Sequence, residues 1–217
     1  MLPPIEDKQA FYKQYWNYYL VLEQDFLSVE PYVAIDPINF STYSVQFLKL
    51  YQTICSEIDV VAKCLCNKLD TSSRPDNITG YQQCITSSLP DLSDSKVTVM
   101  NYDISLSPWN SWSSDEIQTP EWWKKYNKVK HNRTTISTNS GEQYYKSANL
   151  ENVLNALAAL FILEMNILKI IAEQTDSLKV WMPDPPSKLF QIEGWTSRCH
   201  PFTAESFVLE PTESRNE

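Results

Sequence analysis

A chain of 217 residues is long enough for one full hydrophobic core, and 42% apolar and 21% charged residues are ordinary for a soluble globular protein. The three glycines, Gly80, Gly141 and Gly194, cannot form a G-x-G-x-x-G run or a Walker A run, which excludes nucleotide binding through those loops. The formal net charge of −9 opposes nonspecific binding of nucleic acid by the molecule as a whole.

The N-terminus and the cysteines indicate a reducing compartment. The first residues, MLPPIEDKQAFYKQYW, have no apolar run behind a basic start, so we expect no secretory signal and a cytoplasmic location. On a helix, Cys64 and Cys66 point about 200° apart and could not share one tetrahedral metal. We therefore expect buried or incidental thiols, no metal site and no cofactor; the five cysteines are Cys55, Cys64, Cys66, Cys84 and Cys199.

Two amphipathic helices are predicted in the first third of the chain. Residues 5–29 carry apolar side chains at spacings of three and four, and two prolines in VEPYVAIDPINFS end this helix. The next helix, residues 42–69, is predicted to start at a cap formed by Ser41 or Thr42. The predicted buried stripes are Phe11, Tyr15, Tyr18, Tyr19, Leu22 and Phe26 in the first helix, and Phe47, Leu48, Tyr51, Ile54, Cys55, Ile58, Val61, Ala62 and Leu65 in the second.

The middle of the chain has a weaker pattern. Residues 70–80 are predicted to be a loop, and YQQCITSSL forms a short helix at best. The alternating segment 96–106, KVTVMNYDISL, predicts a short strand or an extended arm. Thr119 as the N-cap and Pro120 at the first helical position then predict the start of another helix.

The last strong helix signal covers residues 148–175, after a loop with the sequence TTISTNSGEQYYKSA. Its stretch 153–171 has the length of a membrane span, but Glu164, Lys169 and two asparagines within it favour a helix buried in a soluble bundle, so no membrane association is expected.

These elements predict an all-α protein. Residues 1–175 form a helical bundle around two long central helices, 42–69 and 148–175. The proline-containing residues 176–217 form an irregular tail that packs on the bundle through Trp181, Phe190 and Trp195, with the last residues disordered.

The segment WWKKYNKVKHNR, residues 122–133, holds five of the 18 cationic side chains. As a helix it buries Trp122, Tyr126 and Val129, and it offers the polar residues Asn127, Lys130, His131 and Arg133 to a groove. Lys124, Lys125 and Lys128 face solvent or a polyanion. Because histidine has an unperturbed pKa of about 6.5, His131 is the candidate for acid–base chemistry, and the cations suit a phosphate backbone.

Two simpler interpretations of this segment stay open. A basic helix face is commonly solvated or ion-paired, and this chain has 27 acidic residues. Glu57 and Asp59 in the preceding long helix are candidate partners, which would make Lys130 and His131 members of a structural polar network.

The helix YSVQFLKLYQTICSEIDVVAKCL, the segment WWKKYNKVKHNR and the helix ANLENVLNALAALFILEMNILKI together resemble the HEPN superfamily, small helical bundles of prokaryotic toxin and antiviral systems. The likeness covers residues 43–171. It implies metal-independent RNA cleavage in a site shared by two protomers, and therefore a homodimer. Asn127 and His131 match the polar and histidine positions of the HEPN motif, whereas Tyr126 occupies the arginine position.

Two functional hypotheses follow from the sequence. In the first, the chain is a HEPN-like RNA-binding protein or degenerate endoribonuclease of a bacterial defence or toxin–antitoxin system, with Asn127 and His131 as catalytic residues. Phosphate would be bound by Lys124, Lys128, Lys130 and Arg133. In the second, the chain is a noncatalytic interaction module, such as an accessory, antitoxin or immunity protein, because the motif arginine is missing and an acidic surface suits a basic protein partner.

Overall fold

The computed structural model describes residues 8–113, 116–138, 140–175 and 182–195. Six α-helices and a small sheet make up most of these residues, so the chain is mostly helical, although a purely α-helical protein was expected. The two long helices α3, Val45–Leu69, and α6, Leu150–Thr175, pack against each other along the centre of the bundle. The other elements cover this pair.

The N-terminal helix contains a change of helical phase. Helix α1, Lys8–Phe11, continues through a π-helical turn, Tyr12–Trp16, into α2, Asn17–Leu27. A π turn inserts one extra residue into the helical repeat, so side chains after it are rotated relative to a regular helix. As a result Trp16 and Tyr19 are both buried, while Tyr18, which the regular spacing placed in the core, is 40% exposed.

Helix α3 begins later than predicted because a different residue caps it. The Ser44 hydroxyl accepts a hydrogen bond from the Phe47 backbone N–H at 3.0 Å, so the prediction of Ser41 or Thr42 as the N-cap was wrong. The predicted apolar stripe of α3 is confirmed: Leu48 is partly buried, and every other member of the stripe is buried.

Helix α4, Ile78–Ser88, replaces the end of the predicted loop and the short helix that followed it. Asn77 caps it by accepting a hydrogen bond from the Gly80 backbone N–H at 2.9 Å. The asparagine cap thus begins the helix inside the segment that composition assigned to a loop.

A three-stranded antiparallel sheet replaces the single strand expected over residues 96–106. Strands β1, Val97–Val99, and β2, Ile104–Leu106, form a hairpin, with Asn101 at a φ of 68° in the turn. Asparagine tolerates the left-handed conformation better than most residues, which allows the chain to reverse here. The third strand, β3, Phe190–Ile192, comes from the predicted irregular tail and pairs with β1. The expectation of a wholly irregular tail was wrong for these residues.

The described part of the tail is held by a buried carboxylate. Glu23 in α2 accepts hydrogen bonds from the Ser187 hydroxyl and from the backbone N–H groups of Lys188 and Leu189, the latter two at 2.9 and 3.2 Å. Tyr19 donates to the same carboxylate at 2.9 Å. Phe190 is buried and Trp195 packs against the core, as predicted, whereas Trp181 and residues 196–217 lie outside the described residues.

Helix α6 is long and apolar enough to cross a membrane, and the share of its most apolar window that is buried inside the protein is 83%. Its neighbours include α3 and the N-terminal helix, and the Trp109 indole N–H donates to the Ala159 carbonyl at 3.2 Å. Helix α6 therefore lies in the core of the bundle, as predicted.

Candidate functional site

The basic helix is α5, Glu121–Asn132. It begins one residue later than predicted: Pro120 is the N-cap, and its carbonyl accepts hydrogen bonds from Trp123 and Lys124 at 3.0 Å each. Since proline has no side-chain acceptor, the helix has no side-chain cap, and the prediction of Thr119 as the cap was wrong. The Glu121 carboxylate instead lies in the first turn, where a negative charge offsets the positive end of the helix dipole.

An aromatic cluster fixes the orientation of α5 on the bundle. The Trp122 indole N–H donates to the Pro108 carbonyl at 2.8 Å, and its ring meets that of Trp109 edge to face at 5.3 Å. The Tyr51 hydroxyl of α3 donates to the Trp122 carbonyl. Trp122, Tyr126 and Val129 are all buried, as predicted, and Trp123 is buried with them. Because these four side chains pack one face of α5 against the bundle, the opposite face points outward.

The polar pair that was compared with the HEPN motif lies on that outward face. Asn127 and His131 are one helical turn apart and both are exposed. Within the described residues, neither side chain makes a hydrogen bond or an ion pair with the rest of the protein. The imidazole and the carboxamide are therefore free to meet a ligand on the same edge of the helix.

Most cations of α5 and its C-terminus are also without acidic partners. Among the described residues, the Lys124 ammonium alone in this group forms an ion pair, with Glu121 at 3.6 Å, and both side chains are exposed. Lys128, Lys130 and Arg133 are exposed and unpaired. The described residues therefore do not form an ion-paired basic face, whereas a solvated face, the other part of that simple interpretation, agrees with the exposure of these side chains.

Tyr126, at the position of the motif arginine, belongs to the core. Its side chain is 5% exposed and its ring packs edge to face against that of Tyr51 at 5.9 Å. Burial, with added effects from Cys55 and Asp59, raises the pKa of Tyr126 to about 12, so the phenol is neutral at physiological pH. The Lys130 ammonium lies 5.7 Å from the centre of the Tyr126 ring. The positive charge of Lys130, one helical turn after Tyr126, thus lies beside the residue that was compared with the HEPN arginine.

The two proposed acidic supports, Glu57 and Asp59, form no ion pair with α5 among the described residues. Asp59 pairs with Lys63 at 2.5 Å and accepts a hydrogen bond from the Tyr81 hydroxyl at 2.6 Å. Glu57 is half-buried, and burial raises the pKa of its carboxyl. It lies near Glu164 in α6, whose pKa it helps to raise. Among the described residues, neither Glu57 nor Asp59 pairs with a cation of α5, although Asp59 lies close enough to Tyr126 to help raise its pKa.

The groove beside α5 lies on a different side from the one predicted. A cleft of about 540 Å³ opens between α5, the loop that follows it and the first turn of α6. Lys125 and Lys128 line it, whereas Asn127, Lys130, His131 and Arg133 do not. The remaining lining residues are Ser41, Tyr43, Glu121, Ser137, Ser140, Glu142, Gln143, Tyr144, Lys146, Ser147, Asn149 and Asn152.

Sequence reasoning missed Lys146, Tyr144 and Asn152 as members of a site, since they lie in or next to a segment that reads as a polar loop. The sequence YYK, residues 144–146, lies close to the basic segment in the chain and was the one pattern that could have indicated this site.

The acids and thiols of the bundle do not build a metal centre within the part of the chain that the structure describes. Cys55, Cys64 and Cys66 are buried free thiols, and burial raises the pKa of each, which keeps them protonated. Cys199 lies outside the described residues.

Comparisons of the chain with models of known protein families, with curated proteins and with solved structures find no match. The candidate site is therefore defined by its own geometry: an exposed edge of α5 carrying Asn127 and His131 between unpaired cations, beside a polar cleft.

Proposed function

We propose that the chain is a HEPN-like protein of a bacterial defence or toxin–antitoxin system that binds RNA through the exposed edge of α5. One observation carries the proposal: Lys128, Lys130 and Arg133 are exposed without acidic partners among the described residues, next to an unpaired His131 and Asn127. A strip of unpaired cations on a rigid helix attracts a phosphate backbone and releases its counterions.

Stabilisation of the helix dipole explains the presence of only some of these cations in α5. Cations in the last turn, such as Lys130, offset the negative end of the dipole and stabilise α5 by roughly 0.3–1 kcal/mol each. That effect fades within one turn, so it does not explain Lys124, Lys125 and Lys128, which lie nearer the start of the helix. Lys124 pairs with Glu121, and binding of an external anion would explain the unpaired Lys125 and Lys128.

Cleavage is the second part of the proposal. His131 would remove the proton from a ribose 2′-hydroxyl, whose oxygen attacks the adjacent phosphate, and the 5′-oxygen would leave with a proton from a second acid. Asn127 would orient the phosphate, and Lys130 would supply the charge that Tyr126 lacks. His131 is the one histidine at this edge among the described residues, so we propose that a second protomer supplies the acid in the homodimer that the HEPN resemblance implies.

The experiment measures binding and cleavage of unstructured RNA in low salt with a chelator present. The edge variant combines Lys124→Gln, Lys130→Gln and Arg133→Gln. A matched control, Lys49→Gln with Lys96→Gln and Lys188→Gln, removes the same charge elsewhere.

We expect the edge variant to lose affinity and the control to keep it, and His131→Ala to bind RNA without cutting it. Equal binding by edge variant and control refutes the RNA interface, and equal cleavage by wild type and His131→Ala refutes the role of His131.

A noncatalytic interaction module is the second candidate, and three strongly exposed apolar side chains favour it. Tyr32, Ile38 and Val45, in and beside the connection from α2 to α3, are 86%, 84% and 83% exposed. Outside residues 124–133, which hold five cations and no acid, the formal charge of −9 becomes −14. An acidic surface with apolar anchors suits a basic protein partner. Purification from the native host tests this candidate: recovery of the chain alone, at normal abundance, counts against it.

A further inference from the structure

The cleft beside α5 has walls that are ordered before any ligand binds. The loop after α5 folds back on itself through an isolated bridge between Ile136 and Gln143, with the Ser137 N–H donating to the Glu142 carbonyl at 2.8 Å. On the opposite side, a bridge between Tyr43 and Asn149 ties the segment before α3 to the start of α6. Little conformational entropy would be lost when a ligand enters a site of this kind.

The cations of the cleft fall into two classes. Lys146 pairs with Glu142 at 3.0 Å, so its charge is already balanced. Lys125 and Lys128 line the same cleft on one face of α5, and among the described residues neither pairs with an acid. Glu121, the other acid of the lining, pairs with Lys124 outside the cleft at 3.6 Å. Two adjacent unpaired ammonium groups in a concave site are suited to one phosphate group.

Aromatic rings lie beside two of the three lysines of the cleft, Lys128 and Lys146. The Lys128 ammonium is 5.3 Å from the centre of the Tyr144 ring, and the Lys146 ammonium is 5.5 Å from that of Tyr43. Tyr43 is 41% exposed and Tyr144 is half-buried. Partly exposed tyrosine rings next to lysines are the combination on which an unpaired base stacks while its phosphate is neutralised.

A buried amide forms the floor. Asn152 is 4% exposed and lines the cleft. Its Nδ2 group donates to the Ser147 carbonyl at 2.9 Å and to Asn149 Oδ1 at 2.8 Å. Both amide protons are therefore used, and among the described residues no donor reaches Asn152 Oδ1. This oxygen is the acceptor left for a hydroxyl or amino group of a ligand.

We infer that this cleft is a binding site for an unpaired nucleotide, with the phosphate on Lys125 and Lys128, the base against Tyr43 or Tyr144, and a ribose hydroxyl or base amine on Asn152. Its volume of about 540 Å³ suits a ligand of that size. The nucleotide can come from a free nucleoside phosphate or from a single-stranded segment of RNA, and both sources present the same chemistry.

The cleft also adjoins the exposed edge of α5 to which the proposed function assigns RNA binding. Lys128 belongs to both, because it lies about 60° around the helix from His131. An RNA strand with one nucleotide in the cleft would thus pass over Lys128 towards His131. The inference itself does not require RNA binding, since a free mononucleotide satisfies it.

Calorimetric titration tests it, with adenosine 5′-monophosphate, adenosine, inorganic phosphate and a short unpaired oligoribonucleotide as separate probes. The cleft variant is Lys125→Gln with Lys128→Gln, and Tyr144→Leu removes one ring. Lys96→Gln with Lys188→Gln is the charge-matched control, and circular dichroism checks that each variant is folded.

We expect the monophosphate to bind more tightly than adenosine or phosphate alone. The cleft variant should weaken binding about tenfold or more, and Tyr144→Leu about fivefold or more, with no change in the control. If only the oligoribonucleotide binds and the cleft variant weakens it, the site takes an RNA nucleotide. If adenosine 5′-monophosphate binds and the oligoribonucleotide does not, the site takes a free nucleotide. The same result refutes the proposed RNA interface without refuting the nucleotide site. Binding of neither probe, or binding that the cleft variant leaves unchanged, overturns the inference, even where the edge variant shows that RNA binds elsewhere on α5.

Discussion

Glu164 makes the folding stability of this protein depend on pH in a predictable direction. Its carboxyl is fully buried in α6, and neither oxygen has a hydrogen-bond partner among the described residues. Burial, reinforced by the nearby Glu57, raises the pKa of Glu164 well above its ordinary value of 4.5. Tyr15 and Tyr19 of the N-terminal helix and Cys64 of α3 also lie close enough to interact with it. None of these neighbours supplies a positive charge, so the folded protein keeps the carboxyl protonated.

The sign of the effect follows from proton counting. Between pH 4.5 and the raised pKa, the folded state holds the proton and the unfolded state has lost it. Unfolding then releases a proton, so the free energy of unfolding falls as pH rises, by about 1.4 kcal/mol per pH unit from this group. Below pH 4.5 both states are protonated, and the full contribution is present.

Glu164→Gln removes this titration while keeping the shape of the side chain. The assay is urea denaturation of wild type and variant from about pH 5 to about pH 6.5, where the stability of the variant relative to wild type should rise by about 2 kcal/mol. The informative quantity is how the difference in free energy of unfolding between variant and wild type changes with pH. Burying the amide of the variant changes that difference by the same amount at every pH. Glu173→Gln, which removes an exposed carboxylate from the same helix, controls for the loss of a charge. Parallel stability curves for wild type and Glu164→Gln would refute the assignment of a buried, protonated carboxyl.

Three further substitutions test the packing. Glu23→Ala leaves the buried backbone donors of the tail unpaired, so the free energy of unfolding should fall by about 2–5 kcal/mol. Residues 182–195 should then become sensitive to limited proteolysis, and an unchanged digestion pattern would contradict the role of Glu23. Ser44→Ala removes the α3 cap to the Phe47 N–H and should cost about 1 kcal/mol in urea denaturation, whereas no loss would show that the cap is dispensable. Tyr126→Arg should lower stability by about 2 kcal/mol or more in thermal melts, because it places a cation in the core, and a fully stable variant would show that this position opens to the surface.

The long helices were predictable because their signals are redundant. Each turn of α3 repeats an apolar contact, so an error at Leu48 or at the cap does not change the assignment. The phase of the N-terminal helix was not predictable in the same way, since a π turn is favoured by packing of Trp16 and Tyr19 and has no distinct local pattern. Strand β3 was missed because its partner β1 is about ninety residues away in the chain, and such pairing depends on tertiary contacts.

The candidate site was predictable only where it lies on one helix. The exposed Asn127 and His131 edge and the buried Tyr126 follow from the 3.6-residue period. The cleft does not, because Tyr43, Tyr144 and Asn152 come from three separate segments that the fold brings together. For the same reason, the sequence did not show that Glu57 lies near Glu164 of α6 or that Asp59 pairs with Lys63 of its own helix, and both acids were candidate partners for the cations of α5.

The dependence of RNA affinity on salt tests the central claim, an RNA interface on α5, most directly. Each phosphate contact of a single strand contributes about 0.7 to the slope of log K against log salt. The edge variant, Lys124→Gln with Lys130→Gln and Arg133→Gln, should therefore reduce the slope by about 2, while the control at Lys49, Lys96 and Lys188 leaves it unchanged. Equal slopes for wild type, edge variant and control, or no binding of RNA by wild type in low salt, would contradict the account.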